Sequence, residues 1–272
     1  ALGEQARPED IEAFREEMGL NDPFIVRYVN YMLGLCQGDL GTSYKTRDPV
    51  GEEVWARLPN TAVLALTSTV VAILLALPLG IIAAIKQNTL FDGISMFISL
   101  LGISMPVFWM GLLLILFFSV KLGWFPVSGA DQGIKSLVLP SIALGFMHMA
   151  SIARTTRSSM LETIRQDYIR TVRAKGLPEK EVITRHALRN ALIPTTTVIG
   201  LQIGGMLGGS VLTESVFAWP GIGRYMIQSI QGRDIPSVMG CIIIFALSFA
   251  VINLIVDLIY GFIDPRIKAQ YK

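Results

Sequence analysis

The sequence predicts an all-α protein that crosses a membrane several times. Of its 272 residues, 52% are hydrophobic and only 16% are charged, and the mean hydropathy is +0.54. Soluble domains usually carry about 25% charged residues. The deficit reflects five long apolar runs, each with the length of a helix that crosses a bilayer. The net charge of +2 says little by itself, because the distribution of charges orients such a protein.

The five apolar runs cover approximately residues 61–85, 94–120, 136–153, 191–212 and 238–262. Each contains about 18–27 residues, against the roughly 20 needed to cross the hydrocarbon core. Pro78 in the first run and Met105-Pro106 in the second remove backbone hydrogen bonds and therefore allow kinks. The sequence thus predicts five spans.

The polar loop at 154–190 sets the orientation of these spans. It carries nine lysine and arginine residues against four acidic residues, and such an excess marks a cytoplasmic loop. Alternation of the spans then places residues 1–60 outside and the tail at 263–272 inside. The predicted organisation is an extracytoplasmic region (1–60), a membrane domain (61–262) that contains the cytoplasmic loop, and the tail.

The extracytoplasmic region is predicted to be folded. A proline at the start and periodic apolar positions predict short helices at 8–18 and 23–36. The first also has acidic residues in its first turn and is ended by Gly19. The segment 38–43 is predicted to form a turn. This region either caps the outer mouth of the membrane domain or contacts transported material directly.

The fourth span, 191–212, is rich in glycine. Its small and polar residues include Gly200, Gln202, Gly204, Gly205, Gly208, Gly209 and Ser210. Glycines spaced by four let helices approach closely, and polar groups in a membrane favour a protein neighbour or a water-filled path. Two interpretations stay open: tight packing alone, or a helix that lines a path at the interface with a second subunit.

The last span contains an acidic residue. Asn253 and Asp257 are four residues apart and share one helix face. Asp257 either takes part in proton transfer or reaches lipid headgroups near the cytoplasmic end of the span.

The chain contains no sequence motif for nucleotide binding or catalysis. It lacks both the phosphate-binding loop and the dinucleotide-binding glycine fingerprint, and His148 and His186 are too few and too scattered for a metal site. The sequence therefore predicts a protein that is not an enzyme and has no cofactor of its own. If ATP powers it, another chain hydrolyses the ATP. The basic residues lie where membrane topology places them, so they do not indicate nucleic-acid binding.

The cytoplasmic loop is predicted to form two helices joined by an elbow. The first continues from the third span to about Lys175, where Gly176 ends it. Pro178 opens the second, which runs to about Leu188. Such an elbow can present a short transverse helix to a groove in a partner protein. The alternative is an amphipathic helix lying on anionic lipid.

The loop also carries a dense motif. It reads Asp-Tyr-x-Arg-Thr-x-Arg-Ala-Lys-Gly at 167–176 and His-Ala-Leu-Arg-Asn-Ala-x-x-Pro at 186–194. This pattern resembles the EAA loop of binding-protein-dependent ABC importers, in the variant of dipeptide and oligopeptide permeases. The general consensus begins Glu-Ala-Ala, where this chain has Arg170-Thr171-Val172, a change typical of the peptide subfamily. The likeness extends to 37–41, 213–224, 233–236, Asn253, Asp257 and 264–266, so it covers essentially the whole chain.

The resemblance implies the transmembrane domain of a type I ABC importer. The pore would be formed with a second, homologous permease subunit. Two cytoplasmic ATPases would bind ATP and Mg, and an extracytoplasmic solute-binding protein would deliver the ligand. Family members begin with another transmembrane helix before the region that matches Ala1, so six spans are expected in the full-length subunit. The expected location is the inner (cytoplasmic) membrane of a bacterium or archaeon, where lipid surrounds the spans.

The resemblance also assigns residues to two functional regions. The residues expected to couple the permease to an ATPase are Asp167, Tyr168, Arg170, Thr171, Arg173, Ala174, Lys175, Gly176, Leu177, Glu179, His186, Arg189 and Asn190. The residues expected at an outer gate or binding-protein platform are Trp219, Pro220, Gly221 and Arg224.

Peptides are the expected substrate. Nickel chelates and glutathione are alternatives, because importers of those compounds share this permease type. A stand-alone secondary transporter would need residues for a coupling ion within the spans, and only Asp257 is available.

Overall fold

The computed structural model describes residues 7–263, except for the side chains of residues 10, 11, 14, 17 and 260–263. Within this range the chain consists of helices and connecting loops, with one isolated β-bridge between Thr42 and Pro49. The predicted all-α class is confirmed. The tail from residue 264 onward, with the motif residues 264–266, lies outside the described range.

Two short helices precede the membrane domain, as predicted. Helix α1 covers Pro8–Glu17 and α2 covers Phe24–Cys36. Gly19 has φ +60°, a left-handed conformation that ends a helix at little cost for glycine. No residue of α2 is buried, so this helix lies on the surface of the chain.

Four helices of the described chain are long and apolar enough to cross a membrane. They are α3 (Val50–Ile85), α6 (Ile134–Ile164), the composite helix Glu179–Val216 and α11 (Ile235–Ile263). The composite helix is built from α8 (Glu179–Glu181), a π-helical segment (Val182–Ala187) and α9 (Leu188–Val216). These helices contain the first, third, fourth and fifth predicted spans.

The second predicted span is broken rather than straight. Helix α4 (Leu90–Ser104) meets α5 (Val107–Leu114) and its π-helical continuation (Ile115–Lys121) at an angle of 105°. Pro106 disfavours the helical conformation of the residue before it, and Met105 is extended, with φ −91° and ψ 127°. The predicted kink at Met105-Pro106 is confirmed, and the chain has five spans if the bent pair counts as one. Pro78 lies inside the uninterrupted α3.

Helices α3, α6 and α9 form the centre of the bundle. Their shared apolar cluster includes Leu64, Ala72, Leu144, Ile152 and Met206. Gly145 lets α6 approach α3, because a Cβ there would lie 2.7 Å from the carbonyl oxygen of Ser68. Close packing of small residues is how membrane helices associate when burial from water contributes little.

Separate apolar clusters lie at the two ends of the bundle. The cluster near the basic loop, which we call the cytoplasmic cluster, contains Ala84, Met160, Ile169, Val182, Ile183, Ala187 and Ala191. The cluster at the opposite end contains Leu40, Val50, Val54, Ile222, Cys241 and Ile244. The second cluster joins the N-terminal region to α10 (Ile222–Gln231) and α11.

Candidate functional site

The cytoplasmic loop forms a short separate helix, α7 (Asp167–Ala174). The expectation of one continuous helix from the third span to Lys175 is wrong, because α6 ends at Ile164 and Gln166 is extended, with φ −72° and ψ 151°. Asp167 then opens a new helix, where an acidic residue interacts favourably with the helix dipole. The break isolates an eight-residue helix between two turns.

The second predicted helix of the loop does not end near Leu188. It begins after Pro178, as expected, but continues through the π-helical segment into α9. No glycine directly follows Leu188, and Pro194 lies inside the helix. This part of the loop is therefore continuous with a helix long and apolar enough to span the membrane.

An elbow joins α7 to α8. Gly176 has φ +79°, and nothing lies within 4 Å of a Cβ built on it, so glycine is required by the backbone conformation and not by space. Across the elbow, Arg173 donates two hydrogen bonds to Glu179, of 3.1 Å from Nε and 2.7 Å from its terminal nitrogen. These hydrogen bonds raise the pKa of the Arg173 guanidinium above its ordinary value.

One face of α7 is fixed to the rest of the loop. Ile169 is fully buried in the cytoplasmic cluster. The Tyr168 hydroxyl accepts a 2.6 Å hydrogen bond from the Asn190 amide and donates one of 3.3 Å to the carbonyl of His186. The structure therefore brings Tyr168, His186 and Asn190 together, as their shared motif suggests, and Leu177 packs against the same cluster.

The other face of α7 is open. The side chains of Asp167 and Arg170 are 97% and 77% exposed. Exposed residues of the predicted coupling set also include Thr171, Ala174, Lys175 and Arg189. A helix with one face anchored and one polar face uncovered has the geometry of a docking element.

Sequence reasoning missed an ion pair near the end of the bundle that carries α7. Arg157 of α6 donates two hydrogen bonds to the buried Asp92 of α4, of 2.8 Å from Nε and 2.7 Å from a terminal nitrogen. Asp92 also accepts a 3.1 Å hydrogen bond from the backbone of Asn88. The bidentate geometry fixes the start of the broken span to the helix that leads into α7. A single acid at the start of an apolar run was the available signal, but the sequence does not reveal its partner.

The predicted outer-gate residues lie together at the turn between α9 and α10. Trp219 is buried, and its Nε1 donates to the carbonyl of Asn60, 3.0 Å away. The Asn60 amide donates in return to the carbonyl of Pro220 at 2.9 Å. Arg224 donates to the carbonyl of Ala218 at 2.7 Å. These contacts attach the turn to α3 and leave Trp219 as an internal anchor of the turn.

A buried carboxylate at the centre of this turn was also missed. Glu214 is completely buried. Its Oε1 accepts from Thr61 at 2.8 Å and from Ser210 at 3.0 Å, and its Oε2 accepts from the backbone N–H of Arg224 at 3.0 Å. A Cβ on Gly221 would overlap the carboxyl group, so glycine is required there. An acid at the end of an apolar span was the signal, yet sequence reasoning considered only Asp257, which is exposed.

The glycines of α9 lie on different faces. Gly200 is buried against Val256 of α11, and a Cβ on Gly204 would lie 3.0 Å from Phe249 and 3.3 Å from Asn253 Oδ1. These two glycines pack α9 within the chain. Exposed residues of α9 follow one another at helical spacing on another face: Leu201, Gly205, Gly208 and Leu212.

The remaining predicted residues of α9 make contacts within the chain. Gln202 Oε1 lies 2.9 Å from His148 Nδ1 of α6, and a Cβ on Gly209 would lie 3.6 Å from His148 Nε2. Ser210 contacts Glu214. Tight packing therefore accounts for part of the glycine-rich span, and the exposed face of α9 is the part that a second subunit could cover.

This combination defines a class of protein: a helical membrane component whose long polar loop carries a short helix with one exposed polar face. Its fold matches that of solved ABC transporters. The MetNI methionine ABC transporter aligns with a TM-score of 0.67 at 19% identity, covering 78% of this chain and 96% of that one. An amino acid ABC transporter aligns with a TM-score of 0.61 at 15% identity, covering 77% and 94%. The predicted transmembrane-domain fold of an ABC importer is confirmed.

The sequence narrows the class to one family. Residues 76–269 match the model for binding-protein-dependent transport system inner membrane components, and residues 1–65 match the model for the N-terminal part of such components. The chain belongs to this family. The resemblance that the loop motif suggested is therefore confirmed.

Curated relatives agree with this assignment. The chain is 48% identical to the dipeptide transport system permease protein DppB of Alkalihalophilus pseudofirmus, with 98% of this chain and 88% of that protein covered. It is 43% identical to the oligopeptide transport system permease protein AppB of Bacillus subtilis, with 95% and 85% covered. It is 44% identical to the glutathione transport system permease protein GsiC of Escherichia coli, with 98% and 87% covered.

Proposed function

We propose that this chain forms half of the translocation pore of an ATP-driven importer of dipeptides and oligopeptides. Membership of the binding-protein-dependent transport family supports the importer. The names of relatives that are 43% and 48% identical over nearly the whole chain support the peptide substrate. Glutathione, itself a tripeptide, is the second candidate, because the glutathione permease GsiC is 44% identical.

The observation that carries the coupling mechanism is α7, anchored on one face and exposed on the other. We assign α7 as the helix that sits in a groove of a partner ATPase by helix-in-groove docking. The ATP and Mg of the cycle bind in the two ATPase subunits, and the chain itself catalyses no reaction.

Three contacts make the loop rigid enough to transmit a displacement. The Arg173–Glu179 pair fixes the elbow, Tyr168 and Asn190 tie α7 to α9, and the Asp92–Arg157 pair ties α6 to α4. Closure of the ATPases on ATP would then move α6 and α9 together. Rigid-body motion of this kind at a subunit interface gives alternating access.

The assigned topology follows from the loop charges. Residues 1–60 and the α9–α10 turn face outside, whereas the loop at 154–190 and the tail at 263–272 face the cytoplasm. At the outer face, a binding protein delivers the substrate, and the turn around Glu214 forms part of the gate. The exposed face of α9 with Gly205 and Gly208 is assigned to the pore and the second permease.

The test is uptake by the complete importer in proteoliposomes. Labelled dipeptide, labelled oligopeptide and labelled glutathione are supplied outside together with the binding protein, and ATP and Mg are enclosed. The proposal expects peptide accumulation that needs both ATP and the binding protein. Accumulation of glutathione without accumulation of peptides would make glutathione the substrate in place of peptides. Uptake driven by an ion gradient without ATP would contradict the mechanism.

A further inference from the structure

Two outer segments far apart in sequence are joined through one carboxylate. The buried Asp234 accepts a 2.6 Å hydrogen bond from the Ser43 hydroxyl and a 2.9 Å bond from the backbone N–H of Tyr44. It also accepts a 2.7 Å bond from Ser237 in the first turn of α11. We call Ser43, Tyr44, Asp234 and Ser237 the Asp234 clasp. The clasp holds the turn after residue 41 against the start of α11.

The Asp234 clasp presents two cationic side chains. Lys45 and Arg233 are the neighbours of clasp residues in sequence, and both are exposed. Lys45 runs beside Gly232, since its Cδ lies 3.5 Å from a Cβ built on that glycine. Among the described residues, no acidic side chain forms an ion pair with either cation. The result is a pair of exposed cations on a rigid support.

The backbone at this surface favours a role for the arginine side chain. Arg233 has φ +54°, and Arg47, in the adjoining turn, has φ +68°. Arg233 follows the end of α10, where Arg233 N–H bonds to the Ile230 carbonyl at 3.1 Å and Asp234 N–H to the Ser229 carbonyl at 2.9 Å. Glycine is the usual residue at such a helix end. A left-handed arginine is less favourable for the fold, so folding alone does not account for it.

The two cations lie at the end of the bundle where α3 and α11 begin. Val50, the first residue of α3, lies against Gly240 of α11, since a Cβ built on that glycine would meet its side chain. Helix α11 begins at Ile235, directly after the clasp. Both cations are therefore held where two long helices begin, at the face that a partner outside the membrane can reach.

We propose that Lys45 and Arg233, held by the Asp234 clasp, dock an acidic surface of the extracytoplasmic binding protein. This inference rests on the proposed function, because a binding-protein-dependent importer receives such a partner at its outer face. Complementary charges at the rim of an interface act mainly on the rate of association and on its salt dependence.

The test measures binding of the fluorescently labelled binding protein to the complete importer in nanodiscs of neutral lipid. Lys45→Glu and Arg233→Glu should each weaken binding about ten-fold at low salt, with the loss shrinking at high salt. Basal ATP hydrolysis without binding protein should stay unchanged. In uptake assays, the binding-protein concentration for half-maximal transport should rise while the maximal rate is kept.

Two further variants separate docking from folding. Arg233→Gly removes the charge and suits the left-handed backbone, so it should weaken docking while the thermal midpoint stays equal or rises. Lys135→Glu makes the same charge change at another exposed outer position and should bind like the wild type.

Several results would overturn the proposal. Unchanged binding in both charge-reversal variants would do so, as would an equal loss in Lys135→Glu. A loss that appears only in nanodiscs with anionic lipid would assign the surface to lipid instead. If the wild-type importer imports peptides normally and the charge-reversal variants bind the binding protein normally, the docking proposal fails but the proposed function stands. If the wild type imports no peptide at all, the proposed function fails with it.

Discussion

The two ends of the composite helix Glu179–Val216 are held in different ways. At the outer end, Glu214 is completely buried and accepts hydrogen bonds from α3, from α9 and from the start of α10. At the cytoplasmic end, the Arg173–Glu179 pair is 38% and 61% exposed, and the polar face of α7 is uncovered. The outer turn is therefore closed by contacts within the chain, whereas the loop with α7 leaves a polar face open for the proposed partner.

This comparison predicts opposite rankings for stability and for coupling. Variants of the outer turn should cost the most folding free energy, because unpaired groups would be left buried. Variants of the elbow should cost little stability, because exposed ion pairs contribute little, yet they should impair transport most specifically. The predictions below run from the largest expected effect on stability to the smallest.

Glu214→Ala should lower the free energy of unfolding by about 3–5 kcal/mol. The hydroxyls of Thr61 and Ser210 and the N–H of Arg224 would lose their shared acceptor in a buried site. Thermal and denaturant unfolding of the purified importer would measure this loss. The matched control at the other end is Glu179→Ala, which should cost at most about 1 kcal/mol because that carboxylate is mostly exposed. Equal losses in the two variants would contradict the comparison.

Asp92→Ala should cost roughly 1–3 kcal/mol, since Arg157 would lose its bidentate partner but keep some access to water. The double variant Asp92→Arg/Arg157→Asp should recover part of the loss in the same unfolding measurement. If the stability lost in the double variant equals the sum of the losses in the two single variants, the ion pair does not connect α4 to α6 in the way described.

Gly200→Ala and Gly208→Ala should differ although both glycines lie on one helix. A Cβ on Gly200 would overlap Val256, whereas nothing lies within 4 Å of a Cβ on Gly208. The first variant should cost about 1–3 kcal/mol by overpacking, and the second should leave the stability of the chain nearly unchanged. If the exposed face of α9 binds the second permease, Gly208→Ala should lower the amount of that subunit that co-purifies. Equal instability of the two variants would argue against this division of faces.

Arg173→Glu should change the free energy of unfolding by less than about 1 kcal/mol and still uncouple ATP hydrolysis from uptake. The like charges of residues 173 and 179 would repel each other and open the elbow. Gly176→Pro should have the same effect on coupling, because the proline ring cannot adopt φ +79°. The measured quantity is peptide imported per ATP hydrolysed, with Arg173→Glu/Glu179→Arg as the variant that should recover. Normal transport by both Arg173→Glu and Gly176→Pro would remove α7 from the coupling path.

Local signals allowed much of the fold to be predicted. Gly176 and Pro178 mark the elbow, Gly19 ends α1, and Met105-Pro106 marks the bend, because these residues act on their own backbone. The size of the bend and the break at residues 165–166 were not predictable in this way. The break has no glycine or proline to mark it, and directly after it Ile169 packs into the cytoplasmic cluster.

Contacts between distant residues limited what could be predicted of the site. The motif identified Tyr168, Arg173 and Asn190, but Glu214 was missed because its donor Thr61 lies 153 residues away. The glycines of α9 show the same limit, since their spacing is regular while their neighbours differ. Which glycine faces α11 and which faces outward depends on helix rotation, and spacing alone does not fix that rotation.

The most direct test of the central claim is a cross-link between α7 and an ATPase subunit. Asp167→Cys places a thiol at a position of the anchored helix whose side chain is 97% exposed, in a background where the exposed Cys36 is replaced by serine. Lys135→Cys on the outer side is the control. We predict a cross-link from residue 167 to the ATPase that changes in yield between the ATP-bound and nucleotide-free importer, and none from residue 135. Efficient ATP-driven uptake by an importer in which residue 167 reaches no ATPase in either state would contradict the assignment.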